Sequence, residues 1–330
     1  DLRNYSKDIK YNITSPDAEV NMTNISLSSD SDILAENILI PSGSTQNFTF
    51  AIANNNKTTF NLQVKKSNNP KEYFYTTILK NNPPVEAKTK AGSELATLNE
   101  GLIEEIDENG LIYYFRGNIT NNYVKFADNL WRIVKINSDG TVKIVLNSIL
   151  PDLTAYNTDT TTYENIANTD IYNALKSYYE LNLKNYDTSI ANYRFCSETS
   201  HKEETSNKTY NAYSRLITNK IPTFSCLGDK YSSKIGLLTA DEVMFAGANS
   251  DSNNASYYLY NKDIADDWWT SSLASSKSGD FNVFLVNKEG KVLASTSGTT
   301  YKGLRPVINL VRKSTVTGEG TTENPYILNS

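Results

Sequence analysis

The chain has one histidine and two cysteines in 330 residues, and these scarcities remove whole classes of chemistry. A Ser–His–Asp or Cys–His device would have to run through His201. That residue sits in the polar stretch Glu198–Lys208, which reads as a solvated loop with nothing apolar to shape a pocket. A zinc site of histidine and cysteine is short of ligands once two cysteines pair. No apolar run approaches the roughly 18 residues that cross a bilayer. The 32 basic residues are scattered among 37 acidic ones for a net charge of −5, so no basic stripe awaits a nucleic acid. Glycine-rich phosphate loops and tandem repeats are missing too. Only 15 glycines and 9 prolines argue against wholesale disorder. The chain begins at Asp1 without a methionine, and a removed leader or anchor is the expectation.

The polarity lies instead in Asn, Ser and Thr, joined by 22 tyrosines. These residues favour turns and pleated surfaces over helix interiors, which predicts a β-rich α+β protein. The length suits two domains, each able to bury a core. Cys196 and Cys226 bracket a very polar segment. A disulfide there would stabilise by about 3–4 kcal/mol in the chain-entropy model; the alternative is two unpaired buried thiols. An exported protein is the expectation.

Up to residue 80 the chain alternates apolar and polar: Asp8–Thr14, Val20–Leu27, Thr45–Ile52, Thr58–Val64 and Tyr73–Leu79. Turn clusters at Ser15-Pro16, Pro41-Ser-Gly43, Asn54–Asn56 and Asn68–Pro70 separate them, the pattern of a small β-sandwich. Residues 81–92, opening Asn81-Asn-Pro-Pro84, read as a linker. In the second domain, 93–330, Leu95, Leu98, Leu102, Ile103 and Ile106 space like a helix over Ser93–Asp107 that Gly110 would stop. Strands follow at Leu111–Phe115, Asn122–Phe126, Leu130–Ile136 and Val142–Leu146, the last two joined by an Asp139-Gly140 hairpin. A helix is expected over Ile171–Leu183. Another is expected at Ala240–Phe245, where Thr239 and Glu242 form a capping box and Gly247 a stop. Strands at Trp268–Ser272, Asp280–Asn287, Val292–Ser295 and Arg305–Leu310 complete the reading.

The element Ile40-Pro-Ser-Gly-Ser-Thr-Gln-Asn-Phe-Thr-Phe resembles a turn of immunoglobulin-like modules on bacterial surface proteins. Tyr113-Tyr-Phe-Arg-Gly-Asn, Leu130-Trp-Arg-Ile-Val-Lys-Ile, Arg194-Phe-Cys-Ser, Ile235-Gly-Leu-Leu-Thr-Ala-Asp-Glu-Val and Gly303-Leu-Arg-Pro-Val-Ile-Asn-Leu occur in that order. Together they resemble a surface-protein domain of low-GC Gram-positive bacteria with no assigned function. Its Trp268-Trp-Thr-Ser-Ser and Leu304-Arg-Pro strands are similar to the C-type-lectin-like fold of the formylglycine-generating-enzyme group. The resemblance implies an immunoglobulin-like sandwich followed by a C-type-lectin-like domain with long surface loops. It does not imply that group's oxidase chemistry, which uses a close reactive cysteine pair.

The candidate binding loop is Asn249, Asp251, Asn253, Tyr257, Tyr258 and Tyr260. Its oxygens alternate as in calcium loops, but the glycine and distal glutamate of an EF-hand are missing; its aromatics suit a sugar or a protein partner. Trp131, Trp268, Trp269 and Arg305 are assigned to the core, with Arg132 as a second structural guanidinium. Neighbouring tryptophans on a strand face opposite sides, so at most one of Trp268 and Trp269 can meet any one ligand. Glu104-Glu105, Glu203-Glu204 and Asp266-Asp267 are neighbours in sequence, whereas glycoside hydrolysis needs carboxylates converging across a cleft. The Asn-x-Ser/Thr sequons at Asn12, Asn24, Asn47, Asn118, Asn207 and Asn254 are assigned no glycans.

The expectation is therefore a non-enzymatic extracellular surface protein, without cofactor or metal. A lectin-like adhesion domain on a β-sandwich stalk would contact a protein or glycan through loops around 150–170, 197–210 and 247–263. The rival readings are a filament or pilus subunit assembled by strand addition through Asp1–Thr14, and a carboxylate-dependent hydrolase.

Overall fold

In a computed structural model the described residues are five strands within 5–65 and then 73–329, apart from 198, 205 and 206. Side chains are described from residue 73 onward, excluding 202–204. The chain divides into two compact units, Asp1–Lys71 and Glu72–Ser330.

In the first unit the alternating segments form antiparallel ladders. β1 (Tyr5–Ser15) pairs along its length with β4 (Ser44–Ala53), from Tyr5 opposite Ala53 to Ser15 opposite Ser44. β2 (Val20–Ser26) lies between β3 (Ile33–Ile40) and β5 (Asn61–Lys65). Strand β3 was not among the expected segments. Pro16, Pro41–Gly43, Asn54–Asn56 and Asn68–Pro70 lie outside the described residues, and so does the turn on which the immunoglobulin-like resemblance rests.

The second unit begins earlier than expected, and three readings need correction. Tyr73–Leu79 is not a strand but most of helix α1 (Phe74–Asn81). Thr76 and Thr77 donate their hydroxyls to the Tyr73 carbonyl at 2.7 and 3.1 Å, and Phe74 and Ile78 are buried. Residues 81–92 are not a free linker. Val85 bridges to Ile103 and Gly92 to Asn249, and Thr89 accepts from the buried Arg116. Ser93–Asp107 is not a helix. Its second half is strand β6 (Leu102–Asp107), which turns through Glu108-Asn109 into β7 (Gly110–Phe115), with Asp107 opposite Gly110. Gly110 at φ +125° closes that hairpin, a conformation that favours glycine.

The main sheet runs in the order β20–β10–β9–β8–β22–β21, with β7 also on β9 and β6 outside it. Here β8 is Tyr123–Phe126, β9 Asn129–Ile136, β10 Val142–Leu146, β20 Val307–Leu310, β21 Val316–Thr317 and β22 Tyr326–Leu328. Strands β9 and β10 are buried nearly throughout, including Arg132, Lys135 and Lys143. A five-stranded sheet has the order β13 (His201–Glu204), β14 (Asn207–Tyr210), β16 (Trp268–Lys277), β17 (Asp280–Val286) and β18 (Val292–Ser297). Two ribbons remain, β11 (Thr154–Ala155) with β19 (Tyr301–Lys302), and β12 (Tyr193–Ser197) with β15 (Asp229–Ser233). Helix α2 (Asp170–Tyr178) continues as a π-turn to Leu183. The short α3 (Asn211–Tyr213) runs into a π-turn over Ser214–Thr218. Helix α4 (Ala240–Ala246) starts at the expected box, with Thr239 accepting from the Glu242 amide and Glu242 from the Thr239 amide.

Trp131, Trp269 and Trp268 are all buried. The Trp269 indole donates to the Thr154 carbonyl, and Arg305 lies 4.9 Å over the Trp268 ring while donating to the carbonyls of Leu146 and Leu259. Arg132 stacks 3.8 Å over Tyr123 and donates to Asn122 and to the Ile119 carbonyl. Both guanidiniums are pushed down to about 10, chiefly by burial, and so stay charged at neutral pH. The Cys196–Cys226 disulfide is formed, with Cα atoms 5.6 Å apart.

Candidate functional site

The expected binding loop is largely core. Tyr257 and Tyr258 are 1% and 2% exposed, and Asn249 is buried, its Oδ1 accepting from the amides of Asp251 and Ser252. The Tyr257 hydroxyl donates to the Gly290 carbonyl. Close approach explains this burial, because a Cβ at Gly290 would lie 2.1 Å from the Asn254 carbonyl oxygen. Asp251 is exposed and pairs with Lys220, Asn253 is exposed and Tyr260 half-buried. Among the described residues no group of three or more His, Cys, Asp or Glu is placed to hold a metal ion. His201 is not in a loop but on β13, its ring 5.5 Å from that of Tyr210 and its Nδ1 2.8 Å from the Thr199 carbonyl oxygen.

Chemically active groups gather on another part of the unit, where the β6–β7 turn, the β9–β10 turn and β12 meet. A cavity of about 260 Å³ opens there. Its polar wall comes from Asn109, Asn137, Ser138, Asp139 and Asn192, with the Tyr193 ring and Arg194 beside them. Arg194 is exposed and its guanidinium has neither a hydrogen bond nor an ion pair within the described residues. Glu108 is occupied, since it binds the Lys230 ammonium at 2.5 Å and accepts from the Cys226 amide. Burial pushes its carboxyl up, but the Lys230 ammonium and the backbone amides of Glu108 and Cys226 together hold the group below its ordinary value.

A second, inner cavity of about 40 Å³ shares Asp107, Glu108, Tyr193 and Arg194 with the first. Behind it lies a buried ion cluster. Lys135 on β9 and Lys143 on β10 are opposite one another in the ladder and so share a face. Helix α4 brings Glu242 against them, with Oε1 2.5 Å from Lys143 Nζ and 3.8 Å from Lys135 Nζ. Asp107 Oδ2 lies 3.9 Å from Lys135. Burial works against the Glu242 carboxylate, yet Lys143 and Lys135 together hold it below its ordinary range. Lys135 is pushed down to about 8 by burial and then by the neighbouring Lys143, with Glu242 and Asp107 opposing.

The segment after α3 covers this cluster. Arg215 grips Asp241 with two bonds of 2.8 and 2.9 Å, and Asp241 also accepts from the Thr223 amide. Phe224 stacks on Phe245 at 3.9 Å and faces Lys135 at 4.9 Å. The disulfide ties the segment to β12.

Sequence reading missed this site. The available signal was a lysine within each of two strongly hydrophobic segments, Lys135 and Lys143, residues that are almost never fully buried unless paired. Compared with protein-family models, with curated proteins and with solved structures, the chain matches none.

Proposed function

We propose that the chain is a non-enzymatic extracellular bacterial surface protein whose 72–330 unit binds a saccharide in the outer cavity. In this reading the unit is a C-type-lectin-like domain and the first unit an immunoglobulin-like module. The observation that carries the reading is a cavity of about 260 Å³ whose wall joins carboxamides, a hydroxyl and the Asp139 carboxylate to an aromatic ring and the Arg194 guanidinium, which has no partner within the described residues. Such groups match the hydroxyls and apolar face of a sugar ring. Binding is favoured over hydrolysis because the carboxylates lining this cavity are already engaged within the fold: Glu108 pairs with Lys230, Asp107 faces Lys135 at 3.9 Å, and Asp139 accepts from the Thr141 amide and hydroxyl.

A glycan array probed with the whole chain tests this. Wild type should bind a restricted set of saccharides, and the exposed change Arg194→Ala should weaken binding by about tenfold or more, the cost of a charged hydrogen bond. Asp251→Ala, on the former candidate loop, should leave it unchanged. No saccharide bound, or binding indifferent to Arg194, would remove the reading.

The filament reading keeps one supporting observation. Among the described residues β1 has β4 alone as its ladder partner, and its other edge is where strand addition would occur. Micrographs of concentrated protein with and without residues 1–14 test it, and monodisperse particles in both would sink it.

A further inference from the structure

Lys135 carries an inference that does not depend on what fills the outer cavity. Its side chain is 3% exposed and lines the inner cavity, yet its Nζ makes no hydrogen bond within the described residues. The nearest carboxylate oxygens, on Glu242 and Asp107, are 3.8 and 3.9 Å away, beyond hydrogen-bond reach. Lys143 holds the near oxygen of Glu242 at 2.5 Å and so takes the partner Lys135 would need. On its open side Lys135 has the Phe224 ring and a space of about 40 Å³. That is room for a few waters or for the reacting end of a small molecule. The charged groups around it are Lys143 from β10, Asp107 and Glu108 from β6 and its turn, and Glu242 from α4. Asp241 and Arg215 line the same cavity but neutralise each other, and Tyr193 and Arg194 from β12 stand at the opening. A desolvated lysine beside a second cation is the setting that frees an amine lone pair near neutral pH.

We propose that Lys135 is a carbonyl-capturing amine, which condenses with an aldehyde or ketone on a small polar molecule entering through the outer cavity. The Nζ lone pair attacks the carbonyl carbon and a C–N bond forms. The former carbonyl oxygen takes up the two protons that nitrogen gives up and departs as water, leaving an imine. No oxidant or reductant is required. Asp107, 3.9 Å from Nζ, is placed to carry the protons between nitrogen and oxygen.

The test uses the intact wild-type chain, so no variant needs to fold. Acetaldehyde and cyanoborohydride are added at pH 7, and peptide mass mapping follows the alkylation of each lysine. At that pH the free-amine fraction at Lys135 exceeds that of an ordinary lysine by a few hundredfold. Allowing for its lower nucleophilicity and restricted access, labelling should run about tenfold or more ahead of the exposed Lys277 and Lys313. The advantage should shrink to a few-fold or less as pH rises to the ordinary lysine value of about 10.4. Labelling of Lys135 no faster than of Lys277 and Lys313 at pH 7, or faster labelling of Lys143, overturns the proposal.

Discussion

Replacing Glu242 with glutamine tests whether the ion cluster organises the second unit. Glutamine keeps the length and hydrogen-bonding capacity needed to reach back to the Thr239 amide, so the capping box survives and the charge alone is deleted. Lys143 then loses the carboxylate 2.5 Å from its Nζ, and both lysines, each 5% exposed or less, stay in place without it. Breaking a buried pair from one side costs about 3–5 kcal/mol, a large share of a domain's stability. Glu242→Ala also loses the box and should cost about 1 kcal/mol more. Adding Lys143→Met to Glu242→Gln should recover part of the loss, because one of the two unmatched cations is removed. The pH profile gives a separate signature. A carboxyl held below its ordinary 4.5 contributes stability that is complete above pH 4.5 and fades as pH falls through its folded value. Wild type should therefore weaken below pH 4.5 more steeply than Glu242→Gln. Urea denaturation followed by tryptophan fluorescence measures all of this, since the three tryptophans belong to this unit. A loss under about 1 kcal/mol for Glu242→Gln, or parallel acid profiles, would refute the reasoning.

Three further outcomes are expected. Reduction of Cys196–Cys226, or its replacement by serines, should cost about 2–4 kcal/mol and expose the segment carrying Phe224 to protease, read by the change in thermal midpoint and by cleavage between residues 219 and 228. Arg305→Met should cost about 3 kcal/mol or more in urea, because the carbonyls of Leu146 and Leu259 lose their donor in the core. Lysine cannot reproduce the fork that spans both carbonyls, so Arg305→Lys should recover less than half of that loss. Between pH 8 and 10 wild type should gain stability, since Lys135 sheds its proton in the folded chain before an unfolded lysine does; Lys135→Met should lack that rise.

Much of the fold was legible because its signals are local. Val142–Leu146 is a strand as expected, the Thr239–Glu242 box opens α4, and Asp280–Val286 and Val292–Ser297 follow the expected strands closely. Two of the misreadings share one cause: short apolar runs fit two periods. Leu102, Ile103 and Ile106 match a helix, and only the hairpin geometry at Asn109-Gly110 assigns them to a strand. Tyr73–Leu79 alternates like a strand but buries Phe74, Tyr75 and Ile78 on one face of a helix. The candidate site was illegible because it is assembled from afar. Lys143 and Glu242 are 99 residues apart, and Glu108 meets Lys230 across 122. Tyr257 and Tyr258 looked available because an Asn- and Ser-rich segment precedes them, whereas packing against Gly290 and beneath Arg132 buries them.

The location of ligand binding is the central claim, and amide NMR of the isotopically labelled chain tests it most directly when titrated with a saccharide that the array selects. Shifts should concentrate at Asn109, Asn137–Asp139 and Asn192–Arg194, the residues around the outer cavity. Shifts confined to residues 249–260, or to the first unit, would contradict it.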